Sequence, residues 1–317
     1  MNKRQRFFAA VQGQPVDRPP VTAWVHFQSD HLQGRQVADL HTDFLREYDW
    51  DVLKVMNDYR YPVPTDVRSL ADASSLDAYR RLSLKEPGFV AQFDCLKRIQ
   101  DTVAGEVPLL ETGFEPFQQI VRNIGFSQAQ NLYKHRASAL AALETVTEVM
   151  CEYIHAVKAM GVEGIFLSIN GAMPCALSRG ATDEQHETFQ KPFTVEVLKA
   201  AEGMVRVLHV HGGPPLEMGR LEGYPHEVLS VSDRLPGNPS LAALRALTDK
   251  CLMGGIDETK IQERTLPEIE SEIDDCLAVA GRDNFILAPG CTIASFTSRR
   301  NLRFLREYSR FPDGLPS

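Results

Sequence analysis

The sequence predicts an α/β protein, a (β/α)8 TIM barrel with an N-terminal helical extension. Short apolar runs rich in β-branched residues alternate with longer stretches in which apolar residues recur every three to four positions. This alternation is typical of a parallel sheet with helical connections. Eight such runs occur along the 317 residues, which is the number that closes a barrel. An open doubly wound sheet is the alternative.

The predicted elements follow in chain order. A short amphipathic helix over residues 6–12 forms the extension and ends before a proline-rich stretch. The eight predicted strands are residues 21–27, 51–56, 107–112, 164–169, 205–211, 228–233, 251–256 and 285–288. The predicted helices are residues 37–48, 92–104, 117–124, 136–160, 182–202 (interrupted around Pro192), 240–248, 267–279 and 299–308. No internal repeat or interdomain linker occurs, so one domain spanning residues 1–317 is expected.

Composition and charge restrict the class of protein. The net charge is −8 and no Lys/Arg run occurs, so a nucleic-acid or anionic-membrane partner is not expected. No apolar run is long enough to span a bilayer, and the basic N-terminus leads into no signal-peptide core. The six cysteines lack paired spacing, which is typical of reduced thiols. We therefore expect a cytoplasmic protein. No nucleotide-binding glycine motif follows the first strand.

Two histidines and a cysteine at predicted strand ends indicate a metal site. His209 and His211 are two positions apart on the fifth strand, so both imidazoles project to the same side of the sheet. Cys291 directly follows the last strand. Two imidazoles and a thiolate with an open fourth position are the form that catalytic zinc takes. The alternatives are a histidine bonded to a backbone carbonyl and a buried, inert thiol.

Other polar residues also follow the predicted strands, where the active sites of barrels lie. Three acidic residues are candidate catalytic groups: Glu111, Asp233 and Asp257. Five residues are candidates for substrate binding: His26, Asn57, Tyr59, Ser168 and Asn170. Glu111 and Glu115 are also candidate fourth ligands. Helix capping and turn formation are the competing interpretations for all of these residue types.

Several short motifs, in this order and spacing, resemble the uroporphyrinogen decarboxylase superfamily. The motifs are QPVDRPP at residues 14–20, GIFLS at 164–168, LHVHG at 208–212, GGID at 254–257 and APGC at 288–291. The resemblance covers essentially the whole chain and implies a (β/α)8 barrel.

The resemblance distinguishes two branches of that superfamily. Porphyrin decarboxylases carry an arginine-rich string after the first strand that grips substrate carboxylates, and here residues 22–30 read TAWVHFQSD. Without those arginines, bidentate carboxylate recognition is lost. The other branch contains zinc-dependent methyltransferases that act with corrinoid proteins and thiols, and its zinc motif is His-x-Cys with a distant Cys. In this chain His211 stands in the place of the first cysteine. A site with fewer thiolates carries less negative charge, and the zinc ion in it is a stronger Lewis acid.

The resemblance to the methyltransferase branch thus implies Zn²⁺ held by His209, His211 and Cys291. It also implies methyl (alkyl) transfer between a corrinoid protein and a thiol or related small acceptor. Two alternatives stay open. One is a metal-free decarboxylase of a porphyrinogen-type or other small carboxylic acid, and the other is a non-catalytic barrel that binds a tetrapyrrole or corrinoid. A homodimer is a further open expectation.

Overall fold

A computed structural model describes residues 1–63, 75–177 and 180–309. Its centre is a curled, seven-stranded, all-parallel sheet in which each strand pairs with the next along the chain. The strands are β1 (Leu53–Val55), β2 (Leu109–Phe114), β3 (Gly164–Ile169), β4 (Val205–Val210), β5 (Val228–Val231), β6 (Cys251–Ile256) and β7 (Phe285–Pro289). The predicted α/β class is confirmed, and the sheet is consistent with a TIM-like barrel, although it is not closed. The doubly wound alternative is wrong, because the strand order never reverses.

Eleven α-helices occur in the described part of the chain. They are α1 (Lys3–Val11), α2 (Gly34–Tyr48), α3 (Pro87–Val103), α4 (Pro116–Ile124), α5 (Ala129–Leu132), α6 (Arg136–Ala159), α7 (Asp183–Phe189), α8 (Lys191–Ala200), α9 (Leu241–Leu247), α10 (Leu266–Ala280) and α11 (Arg299–Tyr308). Several of these helices begin at residues whose types favour a helix start. Ser298 accepts a hydrogen bond from the Asn301 amide, and prolines occupy the first turns of α3, α4, α8 and α10. Around Pro192 the predicted interruption divides α7 from α8.

The predicted first strand, residues 21–27, is wrong as a strand: only Val21 bridges to Leu287. The Leu287 amide donates to Pro20 O (2.9 Å), and the Thr22 amide donates to Leu287 O (3.1 Å). The next bond of a parallel ladder would need an N–H at Pro289, which proline lacks, so pairing stops there.

Residues 20–22 also contact the opposite edge of the sheet. The Asp51 amide donates to Val21 O (2.9 Å), and the Thr22 hydroxyl donates to Val52 O (2.8 Å). The segment therefore lies between β7 and β1, although it does not form a regular strand with either.

Two apolar layers pack against the two faces of the sheet. The larger layer lies between the sheet and the surrounding helices. The smaller one fills the interior of the curl and includes Trp24, Met56, Phe166 and Ile286. Phe7 of α1 is fully buried in this interior cluster, together with residues at the starts of strands such as Val205. The N-terminal helix thus covers one end of the curl and leaves the carboxyl ends of the strands to form the other.

None of the helices in the described part of the chain combines the length and the apolar character that a bilayer span requires. No finding tests the single-domain expectation, which stays a prediction.

Candidate active site

The two histidines are held by β4 and its extension. His209 pairs with Ser168 of β3 on one side and Ser230 of β5 on the other. The His211 amide donates to Ile169 O (2.9 Å), which continues the ladder one residue past the end of β4. Because side chains alternate along a strand, both imidazoles face the interior of the curl.

Cys291 reaches the same place through a tight passage after β7. The Gly290 amide donates to Ile256 O (3.1 Å). A Cβ at Gly290 would lie 2.5 Å from Ser232 Cα and 2.9 Å from a carboxylate oxygen of Glu258. Only glycine therefore fits at this position, and the close passage directs the next residue, Cys291, towards the histidines.

The three predicted ligands meet at this end of the sheet. One ligand atom from each of His209, His211 and Cys291 lies within 4.8 Å of the other two. Cys291 Sγ is 3.5 Å from His211 Nδ1. In a tetrahedral zinc site with bonds of about 2.0–2.3 Å, ligand atoms are separated by about 3.3–3.8 Å. Side-chain movements on the order of 1 Å would reach that geometry, so the donor set fits zinc.

The surroundings of His209 favour the form of imidazole that binds metals. Burial, followed by the neighbouring His211 and Lys54, lowers the pKa of His209 well below its ordinary value. The ring is therefore neutral at pH 7, as a metal ligand must be. Its Nδ1 lies 3.1 Å from Ser230 Oγ, a contact of the kind that orients metal-binding histidines.

A cavity of about 250 Å³ opens in front of the three predicted ligands. Its walls include two of the predicted substrate-binding residues, His26 and Ser168. His26 Nδ1 lies 2.8 Å from Asp58 Oδ1. Although burial alone raises the pKa of Asp58, hydrogen bonds from His26 and from the Ser29 amide outweigh it and lower the value to about 2. The charged Asp58 thereby fixes the orientation of the His26 ring at the cavity wall.

Sequence reasoning missed two cations that line the same cavity, Lys54 and Arg122. The Lys54 ammonium is buried, donates to Met56 Sδ (2.7 Å) and lies 4.4 Å from the ring centre of Phe166. Burial lowers the pKa of Lys54 to about 7, against the opposing effect of Cys291 and nearby carboxylates. The signal was present in the sequence, because a lysine in the middle of an apolar strand is unusual.

Arg122 of α4 reaches the cavity across the ring of Phe114, with the guanidinium carbon 3.7 Å from the ring centre. Burial and the nearby Arg60 lower the pKa of Arg122 to about 10. The cavity therefore presents two cationic groups beside His209, His211 and Cys291.

The structure places Glu111, Asn57 and Tyr59 around a different cavity. Along β2, Leu110 and Thr112 face the interior, so Glu111 projects from the opposite face of the sheet. Asn57 Nδ2 donates to Glu111 Oε1 (2.9 Å), and the Tyr59 hydroxyl donates to Leu32 O (2.7 Å). These three residues are brought together, but not with the histidines.

Asn170 is fully buried, and its backbone amide donates a hydrogen bond to the carboxylate of Glu115. Burial raises the pKa of Glu115 to about 7, while the hydrogen bonds from Asn170 and Thr194 oppose that rise. Neither Asn170 nor Glu115 is among the residues that line the cavity of the three ligands.

Asp233 links the end of β5 to β6, and Asp257 supports the turn after β6. Asp233 Oδ1 accepts from the Gly255 amide (2.8 Å), and burial raises the pKa of Asp233 to about 6. Asp257 Oδ1 accepts from the amide and the hydroxyl of Thr259 (2.9 and 2.7 Å). Neither carboxylate lines the cavity of the three ligands. No finding tests the catalytic roles of Glu111, Asp233 and Asp257, and these stay predictions.

Comparison with known proteins gives one family and several structural neighbours. The model of the family described as uroporphyrinogen decarboxylase (URO-D) matches residues 54–310. A methyltransferase from Methanosarcina mazei has a similar structure, with a TM-score of 0.79, 18% sequence identity and coverage of 98% of both chains. A B12-independent methionine synthase from Shewanella sp. W3-18-1 gives a TM-score of 0.56 at 13% identity and 94% coverage of both chains. At these identities the likeness is one of fold. No curated protein matches the chain.

Proposed function

The chain belongs to the uroporphyrinogen decarboxylase family, and on that premise we propose that it is a zinc-dependent enzyme. It transfers a methyl (alkyl) group from a corrinoid protein to a thiol or a related small acceptor. The observation that carries this proposal is the convergence of His209, His211 and Cys291 on one cavity. The neighbours described as a methyltransferase and a methionine synthase support methyl transfer as the reaction class.

His209, His211 and Cys291 would hold the zinc ion at the cavity that they line. Zinc held there would lower the pKa of a bound thiol and so would supply a nucleophile at neutral pH. The chain's own groups prepare this position. Burial keeps His209 neutral, and Ser230 orients its ring.

The cavity walls position the acceptor and keep water away from it. Trp24, Phe166 and Met56 form an apolar wall, on which a thiol is less hydrated than in bulk solvent. Lys54 and Arg122 add positive charge, which favours the thiolate form of the acceptor over the thiol.

The reaction needs a methyl donor that reaches the cavity from outside. We take residues 20–22 as the eighth position of a barrel, whose mouth then lies at the carboxyl ends of the strands. A methylated corrinoid on a separate protein would dock at this mouth. The carbon–cobalt bond would break with its electron pair staying on cobalt, so the corrinoid leaves as Co(I). The sulfur electron pair of the acceptor would form the new carbon–sulfur bond, and the thiol proton would pass to solvent.

A methyl-transfer assay tests the proposal. The zinc-loaded protein is mixed with methylcobalamin, as a free methyl donor, and with a panel of small thiols. Loss of methylcobalamin absorbance and the mass of the methylated thiol report transfer. The Cys291→Ala variant should lose roughly 100-fold or more in rate, since even the outer partners of metal ligands are worth about 10–100-fold. Its matched control is Cys175→Ala, because Cys175 is exposed and lies outside the cavity.

Transfer that is equally fast in Cys291→Ala and in the wild type would contradict the proposal. So would a complete lack of transfer with every thiol by the zinc-loaded protein, while zinc is shown to be bound.

Decarboxylation of a small carboxylic acid is the second candidate function. The observation that favours it is the pair of cations, Lys54 and Arg122, because both suit a carboxylate substrate. In that case His26, at the wall of the same cavity, is the candidate proton donor to the carbanion. Carbon dioxide release by metal-free protein would support decarboxylation over methyl transfer.

A further inference from the structure

The cavity around Glu111 is separate from the one in front of the three ligands. It lies on the outer face of β2, where residues of α3 and α6 complete its walls. Thr112 lines both cavities, which places them on either side of the same strand. The cavity around Glu111 has a volume of about 50 Å³, which exceeds the roughly 10–15 Å³ that one water molecule needs. A small organic molecule therefore fits.

The floor of this cavity is a buried carboxyl group that lacks a cation. Burial raises the pKa of Glu111 to about 7, against the opposing effect of its hydrogen bonds, so the group is only partly ionised near neutral pH. Glu111 is 1% exposed and accepts hydrogen bonds from Tyr153 (2.7 Å), Gln92 (2.9 Å) and Asn57 (2.9 Å). Within the described part of the chain, no lysine or arginine forms an ion pair with it. Lys54 influences it only from the other face of the sheet. A cation bound beside this carboxyl group would stabilise its ionised form, which burial otherwise disfavours.

Hydrogen-bond acceptors are in excess around the same carboxylate. The side-chain oxygens Asn57 Oδ1 and Gln92 Oε1 are buried and have no hydrogen-bond donor in the structure. Both amide NH₂ groups are already directed at Glu111. The cluster therefore has spare acceptors around a carboxyl group that has no cationic partner. An ammonium group has the complementary character, with only donors and one positive charge.

The side walls of the cavity are aromatic. Tyr59, Tyr61, Phe89 and Tyr153 all line it. The rings of Phe89 and Tyr153 pack with their centres 5.5 Å apart, which makes this part of the wall rigid. Ring faces attract organic cations, whereas water and bare metal ions gain less from them. The cation at the rim, Arg60, is exposed, and its guanidinium donates to Arg122 O (2.6 Å).

We propose that this cavity binds a small alkylammonium cation, with the charged nitrogen beside the Glu111 carboxylate and the alkyl group against the aromatic walls. This site is additional to the methyl-transfer cavity and does not depend on the function proposed for it.

Titration calorimetry of the full chain with ethylammonium chloride tests the proposal, with sodium chloride and potassium chloride at equal ionic strength as references. The expected result is saturable binding of ethylammonium at about one site per chain and no matching signal from either salt. Glu111→Gln should weaken binding at least tenfold, because among the described residues it removes the only acidic side chain that lines the cavity.

The matched control is Glu115→Gln, which neutralises a second buried glutamate that does not line the cavity. Glu115→Gln should leave the affinity for ethylammonium within about twofold of the wild-type value. Phe89→Leu keeps the carboxylate and removes one ring face, and it should weaken binding about threefold to tenfold. This second variant decides the question if Glu111→Gln does not fold.

Three results would overturn the proposal. The first is no saturable binding of ethylammonium by the wild type. The second is an equal response to potassium ions, and the third is an affinity that neither Glu111→Gln nor Phe89→Leu alters.

Discussion

Asp51 is the residue whose change we expect to be most damaging to stability. Its carboxylate is fully buried and accepts four hydrogen bonds. Oδ1 accepts from Arg6 (2.9 Å) and Arg18 (2.8 Å), and Oδ2 accepts from Arg18 (2.6 Å) and the Val21 amide (2.9 Å). Asp51 thereby ties the segment that bridges β7 and β1 to the N-terminal helix.

The Asp51→Asn variant keeps the shape of the side chain and removes its charge. Whichever oxygen becomes the NH₂ group, two of the four hydrogen bonds are lost, and a donor then faces other donors. Hydrogen bonds to charged groups contribute about 1.5–3 kcal/mol each. Breaking a buried ion pair from one side costs about 3–5 kcal/mol. We therefore expect the free energy of unfolding to fall by about 3–5 kcal/mol.

Urea unfolding followed by circular dichroism and tryptophan fluorescence measures this loss. The matched control is Asp101→Asn, because Asp101 pairs with Lys97 and both side chains are 63% exposed. Exposed pairs contribute about 0–1 kcal/mol, so the control should change little. If Asp51→Asn loses less than about 1 kcal/mol, or no more than the control does, the argument that this buried network holds the bridging segment is wrong.

Three further predictions concern the surroundings of the cavity. Because the pKa of Asp58 is about 2 in the folded protein and near 3.8 when unfolded, its contribution to stability is present above pH 4 and is lost as the pH falls from about 4 to 2. Asp58→Asn should therefore lose less stability than the wild type over that range in acid unfolding, and parallel curves would contradict this. Lys54→Met should raise the free energy of unfolding by about 1–4 kcal/mol at pH 7, because a buried ammonium without a carboxylate is replaced by an apolar group. That gain in stability should shrink between about pH 7 and 10, because the pKa of Lys54 is lowered to about 7 in the folded protein. A gain that stays constant over this range would contradict the lowered pKa of Lys54. Ser230→Ala should weaken zinc affinity by about tenfold or more in competition with a chelator, because the contact to His209 Nδ1 is lost, and an unchanged affinity would show that this contact does not orient the ring.

The order of strands and helices could be predicted because periodicity is a local property of the sequence. Strands β3 and β6 and helix α11 occupy the predicted residues. The first strand was mispredicted because its extent depends on the proline at position 289, far away along the chain. Sequence patterns at residues 21–27 carry no information about that missing N–H group.

The proximity of His209, His211 and Cys291 could be predicted and the position of Glu111 could not, for one physical reason. His209 and His211 share a face by alternation alone, wherever the sheet lies. Strand β2, however, is buried on both faces, so its apolar pattern does not reveal which side faces the interior. Glu111 was therefore placed at the mouth by sequence reasoning, whereas its side chain points to the helices. Lys54 was missed because sequence reasoning gave no role to the single lysine within the predicted strand at residues 51–56.

Zinc content is the most direct test of the account. Elemental analysis would compare the purified wild type with His209→Ala, His211→Ala and Cys291→Ala, and with Cys175→Ala as the matched control. We predict about one zinc ion per chain in the wild type and the control, and loss or strong weakening in the three ligand variants. No zinc in the wild type after loading, or equal zinc in all five proteins, would contradict the central claim.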